Sequence, residues 1–281
     1  MNRPSFPSVS VCIPVYNGAA FLAEAVESVL KQTFADIELV VLDNASTDKT
    51  PQILKQFIDP RLRIIRHTTN LGATANFNAA LVEARGEWVK ILCADDLLYP
   101  DCLARQMEAV IATGTHPPVL LCTGRDIIDA TGRRWLSRRF PGPSGRHSGS
   151  DARRCVVRAG TNLLGEPAAV LMRRSVALQA GGFDPAWRFC TDLDLWVRIL
   201  QYGDLQVQSD ALCAFRVSAQ SWSRALVGKQ AHEVCDWMVQ RQRDGLLHAT
   251  RSDLQVGRLR AYGLMLQRWA FYSMANRRTT A

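Results

Sequence analysis

The sequence predicts an α/β protein: an α/β/α sandwich with a mostly parallel central sheet, followed by a C-terminal helical extension. Three observations carry that prediction. Through the first 112 residues, strand-length apolar runs alternate with amphipathic helical patterns, which implies parallel strands joined by helical crossovers. The run Ile37-Glu38-Leu39-Val40-Val41-Leu42 is almost wholly apolar, as a strand covered on both faces must be. From about residue 223 to 276, strand patterns give way to helical periodicity.

The elements follow in order. Val9, Val11, Ile13 and Val15 mark a strand over 8–15, ended by the Asn17-Gly18 turn. Phe21/Leu22, Ala25/Val26 and Val29/Leu30 then recur every four residues and predict a helix. After the strand over 37–42, Ser46-Thr47-Asp48 signals a helix start with Pro51 in its first turn and Ile53, Leu54, Phe57 and Ile58 as its stripe. Residues 62–66 read as a short strand, Asn70-Leu71-Gly72 as a turn, and 73–84 as a helix stopped by Gly86. A strand over 88–92 leads to Asp95-Asp96, and Pro100 opens a helix to about 112. Beyond it, strands in 118–137 flank a turn at Ala130-Thr131-Gly132, and 137–154, rich in Arg, Ser, Gly and Pro, reads as a mobile loop. A strand over 168–173, a short helix over 174–180 stopped by Gly181-Gly182, a helix over 192–202 and a strand near 205–215 complete the core. These boundaries divide the chain into 1–218 and a packed helical extension, 219–281.

At 281 residues, 47% hydrophobic and 21% charged, the chain has the balance of a globular protein able to bury a sizeable core. A net charge of +8 fits anionic partners. The arginines cluster (Arg133, Arg134, Arg138, Arg139; Arg153, Arg154, Arg158; Arg173, Arg174; Arg277, Arg278), a pattern read first as a solvated surface. Eight cysteines without a C-x-x-C pair read as buried free thiols of a reducing compartment. The N-terminal residues lack a signal-peptide apolar core, and no apolar window is long enough to cross a membrane. The expectation is a cytoplasmic protein, with room for peripheral contact at an anionic inner membrane face. No G-x-G-x-x-G, phosphate-binding G-x-x-x-x-G-K-[ST], nucleophile elbow or His/Cys metal spacing is present, and no nucleic-acid module either. Most tryptophans sit on apolar faces and read as core; Trp135 and Trp187, in irregular segments, could stack on a sugar but are read first as core, and His232 reads as a surface residue.

Four clusters fall where ligands bind in such sheets, outside the carboxyl ends of strands or at a helix start. They are Val15-Tyr16-Asn17-Gly18, Asp43-Asn44-Ala45-Ser46-Thr47-Asp48, Cys93-Ala94-Asp95-Asp96 and Thr191-Asp192-Leu193-Asp194-Leu195-Trp196. Each has a plain structural reading: an Asx turn for Asp43, an acidic helix start for Asp95-Asp96, a helix N-cap for Asp192. Acids so placed also suit a hydroxyl-rich, phosphate-bearing ligand with a divalent cation. Taken together and in this order, the clusters resemble the family 2 glycosyltransferases of the GT-A fold over about residues 8–215.

The resemblance implies an inverting transfer of a sugar from a nucleoside-diphosphate sugar, UDP-linked by preference, to a hydroxyl of a glycan or lipid-linked acceptor in cell-surface polysaccharide or glycolipid synthesis. It assigns Pro14, Val15, Tyr16 and Asn17 to the loop lining the base pocket and Asp43 to a hydrogen bond with the base. Asn70 joins the donor site. Asp95 becomes the ligand of Mn2+ or Mg2+, with Asp96 beside it, and Asp192 the general base, with Asp194 as runner-up. Gly165-Glu166-Pro167 resembles an acceptor-side loop. Three departures stand out: Cys93 replaces the first acid of the D-x-D motif, Thr191 replaces a Glu, and Phe215-Arg216-Val217-Ser218 lacks a metal-binding His. They sustain an alternative, a catalytically impaired nucleotide-sugar or glycan-binding protein of the same fold. Oligomerisation is left open.

Overall fold

The computed structural model describes residues 6–218, 226 and 228–279, with side chains to 269. Its elements are β1 (Val9–Val15), α1 (Leu22–Leu30), β2 (Ile37–Asp43), α2 (Thr50–Leu54), β3 (Leu62–Arg66), α3 (Ala73–Glu83), β4 (Trp88–Ile91), β5 (Leu97–Leu98) and α4 (Cys102–Ile111). There follow β6 (Leu120–Ile128), β7 (Arg134–Arg138), β8 (Gly145–His147), α5 (Gly149–Ala159), β9 (Val170–Arg173), α6 (Arg174–Gln179), α7 (Thr191–Ile199), β10 (Leu205–Arg216), α8 (Gln230–Arg243) and α9 (Arg251–Thr279). The chain at 1–5, 219–225, 227 and 280–281, which includes the start of the expected helical tail, lies outside the described residues, as do the side chains of Arg277 and Arg278.

One sheet runs in the order β3-β2-β1-β4-β9-β6-β10-β5, with β7 on β6 and β8 on β10. It is parallel through β3-β2-β1-β4, as the alternation of strands and helices requires. Beyond β4 it becomes mixed, because β9 runs antiparallel to both β4 and β6. Strand periodicity sorts the core onto two faces: Cys12, Val40, Leu42, Val89 and Ile91 on one, Val9, Val11, Ile13, Leu39 and Val41 on the other. Helices α3, α6 and α7 add Ala80, Leu81, Val176 and Leu193 to the first face, and α1 and α4 add Leu22, Val26 and Leu103 to the second.

Three expectations are corrected. Helix α2 ends at Leu54, so its stripe does not reach Ile58, which is 99% exposed. Pro60 disfavours helix at the preceding residue and limits any extension. Gly86 is not a helix stop: α3 ends at Ala84, already extended, and a Cβ on Gly86 would lie 2.6 Å from the Ser10 nitrogen, so glycine is needed there for close approach. The span 137–154 is a loop only over 139–144; β8 and the start of α5 occupy its second half. Ser148 caps α5 by accepting from the Asp151 N–H, Ala152, Val156 and Val157 are buried, and left-handed Gly160 closes the helix.

The arginines of α5 are correspondingly not a solvated patch. Arg153 is buried and donates to the Leu246 carbonyl, while Arg154 and Arg158 both pair with buried Asp253 of α9. Helices α5 and α9 cross at glycines: a Cβ on Gly257 would lie 2.0 Å from the Val157 oxygen, and one on Gly160 2.2 Å from the Gly257 oxygen. Gly257→Ala is therefore expected to lower stability by about 1–3 kcal/mol through overpacking. A thermal melt indistinguishable from wild type would contradict this seating of α9.

Candidate active site

The parallel strands β2, β1 and β4 end side by side, and the loops after them carry the predicted polar residues. Asp43, 1% exposed, closes β2; its Oδ1 accepts from the Ser46 N–H at 2.9 Å, an Asx turn. Its other oxygen has no hydrogen-bond partner and lies 3.5 Å from Arg66 Nε. Asn17, with a left-handed φ of 53°, accepts from the Thr47 N–H at 2.8 Å while its own N–H donates to Ser46 Oγ at 2.9 Å. The β1 and β2 loops are thus laced together. Pro14 is half-buried, Tyr16 is exposed, and Val15 lies in the core with its carbonyl accepting from the Asn44 N–H. Asn70 Oδ1 accepts from the Gly72 N–H and from Asn44 Nδ2, which fixes the turn before α3.

After β4 the chain turns through Cys93, Asp95 and Asp96, whose ligand atoms all lie within 4.8 Å of one another. Asp96 is fully buried; its Oδ1 accepts from the Arg216 N–H at 2.9 Å, and its Oδ2 has no hydrogen-bond partner. Arg216, at the end of β10, donates Nε to the Asp95 carbonyl at 2.8 Å and Nη2 to Glu24 at 2.7 Å. Burial raises the pKa of Asp95, and burial reinforced by the neighbouring Asp95 charge raises that of Asp96 far more. Two crowded carboxylates with an orphaned buried oxygen fit a hard divalent cation. Cys93 adds little to such a donor set: burial, then the nearby carboxylates, hold it as a neutral thiol.

Across the cavity stands a second group. Asn162 bridges the 162–165 turn, donating Nδ2 to the Gly165 carbonyl and accepting from its N–H. The same Nδ2 donates to Asp192 Oδ2 at 3.0 Å. Burial, with the Glu166 charge adding to it, pushes the Asp192 pKa up to about 7. Burial acts to raise Glu166 too, but the Arg125 charge and hydrogen bond outweigh it and hold that carboxyl below the usual range. Buried Lys90 donates to the Ala168 and Val170 carbonyls at 2.8 and 3.0 Å, anchoring the turn after Glu166. Asp194 is excluded as a base: fully buried, it accepts from Arg198, Trp237 Nε1 and Arg241.

Asp95, Glu166 and Asp192 line one cavity of about 500 Å³, together with Cys93, Thr191 and Trp135. Asp43 lies at the same sheet edge but does not line this cavity. Trp135 therefore faces the cavity instead of the core, whereas Trp187 packs against the core as expected. The model of the family described as "Glycosyl transferase family 2" matches residues 10–178, more than half of the chain. The chain belongs to glycosyl transferase family 2.

Among curated relatives of this family 2 glycosyltransferase, "Uncharacterized protein MT1568" of Mycobacterium tuberculosis is 32% identical over 209 residues, 70% of this chain and 63% of that protein. "Succinoglycan biosynthesis protein ExoO" of Rhizobium meliloti is 35% identical over 136 residues, 47% of this chain and 38% of that protein. The chain thus spans less than two thirds of the length of either. The crystal structure of S. aureus TarS 1-349 in complex with UDP-GlcNAc superposes with a TM-score of 0.65 at 19% identity, covering 92% of this chain and 81% of that one. Mannosyltransferase PcManGT from Pyrobaculum calidifontis, in complex with GDP-Man and Mn2+, gives 0.63 at 21% identity, covering 92% and 70%. At these identities the likeness is one of fold, and the fold is GT-A.

Three residues that organise the cavity were given no such role from sequence. Asn162 holds Asp192, Arg216 ties the Asp95-Asp96 turn to α1, and Glu233 of α8 bonds the loop before α7. Asn162 had a local signal, the Asn-x-x-Gly spacing to Gly165; the other two act on partners far away in sequence. Thr191 lies at the cavity wall with its hydroxyl buried and without a hydrogen-bond partner, and Ser218 is buried after β10. Six of the eight cysteines are buried, Cys93 is half-buried and Cys155 is exposed; all are free thiols.

Proposed function

We propose that this glycosyltransferase moves a sugar from a UDP-linked donor to a hydroxyl of a glycan or lipid-linked acceptor, with inversion, in the synthesis of a cell-surface polysaccharide or glycolipid. The carrying observation is the meeting of Asp95 and Asp192 in one cavity, with the Asp192 carboxyl poised near neutrality. A general base works best when its pKa lies close to the operating pH. Asp192 accepts the acceptor proton as the oxygen attacks the anomeric carbon from the side opposite the leaving diphosphate, one displacement and one inversion. Asn162 holds Oδ2 of Asp192 by its hydrogen bond. Glu166, kept ionised by Arg125, is suited to accept hydrogen bonds from sugar or acceptor hydroxyls.

Asp43, Asn17, Tyr16 and the backbone of Pro14 and Val15 form the nucleotide end of this reading, with Asn70 supporting it through its turn. Support comes from the unpartnered Asp43 oxygen, an acceptor suited to a base N–H. Asp95, with Asp96 adjacent, would hold Mn2+ or Mg2+. The chemistry such an ion supplies when bound is neutralisation of charge on the leaving diphosphate. The Mn2+ in the PcManGT complex and the UDP-GlcNAc in the TarS complex favour metal and donor alike. The ExoO name favours polysaccharide synthesis. The division into a transferase unit, 1–218, and an extension, 219–281, belongs to the same proposal.

The test is a thermal-shift panel of UDP, GDP and dTDP with and without Mn2+. UDP with Mn2+ is expected to stabilise the protein by about 2.7 kcal/mol when present at about 100 times its dissociation constant. Absence of stabilisation by every nucleoside diphosphate, with or without metal, would overturn the proposal; a preference for GDP or dTDP would replace the donor.

A further inference from the structure

Helix α8 presents one stripe of polar groups to the segment that carries Asp192. Glu233, Trp237 and Arg241 are spaced four residues apart and stand one above another on the helix. Glu233 Oε1 accepts from the Phe189 and Cys190 backbone N–H groups at 2.5 and 2.9 Å. Trp237 Nε1 donates to Asp194 Oδ1 at 2.8 Å, and Arg241 Nε donates to the same oxygen at 2.6 Å. Arg241 Nη2 also donates to Asp184 at 2.8 Å, and the guanidinium lies 5.7 Å from the Trp187 ring.

The points of grip bracket Asp192 on both sides, two residues before it and two after. Backbone N–H groups at the start of a helix have no intrahelical partner. Here two of them, just before α7, find one carboxylate oxygen on another helix, a charge-assisted arrangement stronger than a neutral one. Among the described residues Asp192 accepts from Asn162 Nδ2 and from the Leu193 N–H, so its direction depends on where this segment is held.

We propose that Glu233, Trp237 and Arg241 are positioning residues for the transfer: α8 clamps residues 184–194 and thereby aims Asp192 into the cavity. The inference rests on the reading of Asp192 as the base and extends it to a helix outside the residues matched by the family model. The C-terminal helices are then part of the catalytic machinery and not an appendage to it.

The experiment compares Glu233→Ala, Glu233→Gln and Trp237→Phe with wild type in the full chain. Two readouts are taken: amide hydrogen exchange across 184–194, and steady-state turnover of UDP-sugars with Mn2+. In Glu233→Ala, exchange at Phe189 and Cys190 accelerates and kcat falls by about 10–100-fold, the scale of a base displaced by an ångström. Donor KM stays within about twofold, because donor binding is untouched. Glu233→Gln retains most of the rate and the protection, since its amide oxygen accepts the same two N–H groups. If Glu233→Ala does not fold, Trp237→Phe, which keeps an aromatic six-membered ring and loses the N–H donor, is expected to show a smaller loss of kcat in the same direction. Unchanged exchange across 184–194, unchanged kcat, or a rise in donor KM that matches the loss of kcat overturns the inference. A wild-type chain that turns over no UDP-sugar, while exchange across 184–194 still responds to Glu233→Ala, overturns the proposed function and supports the grip.

Discussion

Asp192→Asn is expected to lose about 10³-fold or more of turnover, the usual contribution of a general base, while keeping its affinity for UDP. The same variant is expected to melt higher than wild type. The Asp192 carboxyl titrates near 7 in the folded chain against 3.8 for a free side chain, so between those values the folded state binds more protons than the unfolded one. Stability from this site is therefore greatest below pH 4, falls as pH rises, and is fully lost above about 7. Removing the charge recovers that loss in part, on the order of 1–3 kcal/mol at pH 8. Recovery is incomplete because Asn162 Nδ2 then faces either the new amide nitrogen or a rotated side chain. Wild-type kcat should rise tenfold per pH unit below 7 and level off above it. An Asp192→Asn enzyme that transfers sugar at near wild-type rate, or a flat wild-type pH profile from 5 to 8, would remove Asp192 from the mechanism.

Two residues along, the opposite behaviour is expected. Asp194→Ala should lower unfolding free energy by about 3–5 kcal/mol, the cost of breaking a buried ion pair by deleting one partner. The carboxylate receives Arg198 Nε at 2.8 Å, Arg241 Nε at 2.6 Å and Trp237 Nε1 at 2.8 Å, all in the interior. Its loss takes one acceptor from each of two guanidinium groups and leaves the indole N–H of Trp237 unpaired at a fully buried site. A urea titration reads the effect as a lower midpoint. A change below about 1 kcal/mol would show that the network is looser than drawn. The pair of variants is expected to separate the neighbouring acids: loss of turnover with a higher melt at Asp192, loss of stability at Asp194.

The parallel half of the sheet was legible because strand patterns, helical stripes and turn residues agreed at most steps from Val9 to Ile111. What escaped lay where a local signal competed with composition. The span 137–154 looked like a loop because Gly, Pro and Ser dominate its first half, yet Ser148 with Asp151 three residues on is a cap signal, and the apolar stripe of α5 follows it. Ile58 looked like helix stripe because the apolar spacing continued beyond Leu54, the last helical residue. At the site, the order of the motifs anticipated that Asp95 and Asp192 would meet in one cavity. The roles of Arg216 and Glu233 could not, because each is defined by partners brought close only by the fold: Arg216 meets Glu24, and Glu233 meets Cys190. The Asx turn of Asp43 uses one carboxylate oxygen and leaves the other, 3.5 Å from Arg66 Nε, without a hydrogen-bond partner.

The bonds from α8 to the loop before α7 also bear on when the cleft comes into being. Asp95 is made early in synthesis, yet the segment holding Asp192 waits for Glu233, Trp237 and Arg241 before it is secured. With translation adding roughly 5–20 residues per second, a nascent chain carries both halves of its cleft for some time without the brace that joins them. A polypeptide still on the ribosome is therefore able to fold its early parallel strands while the segment that carries Asp192 is still unsecured.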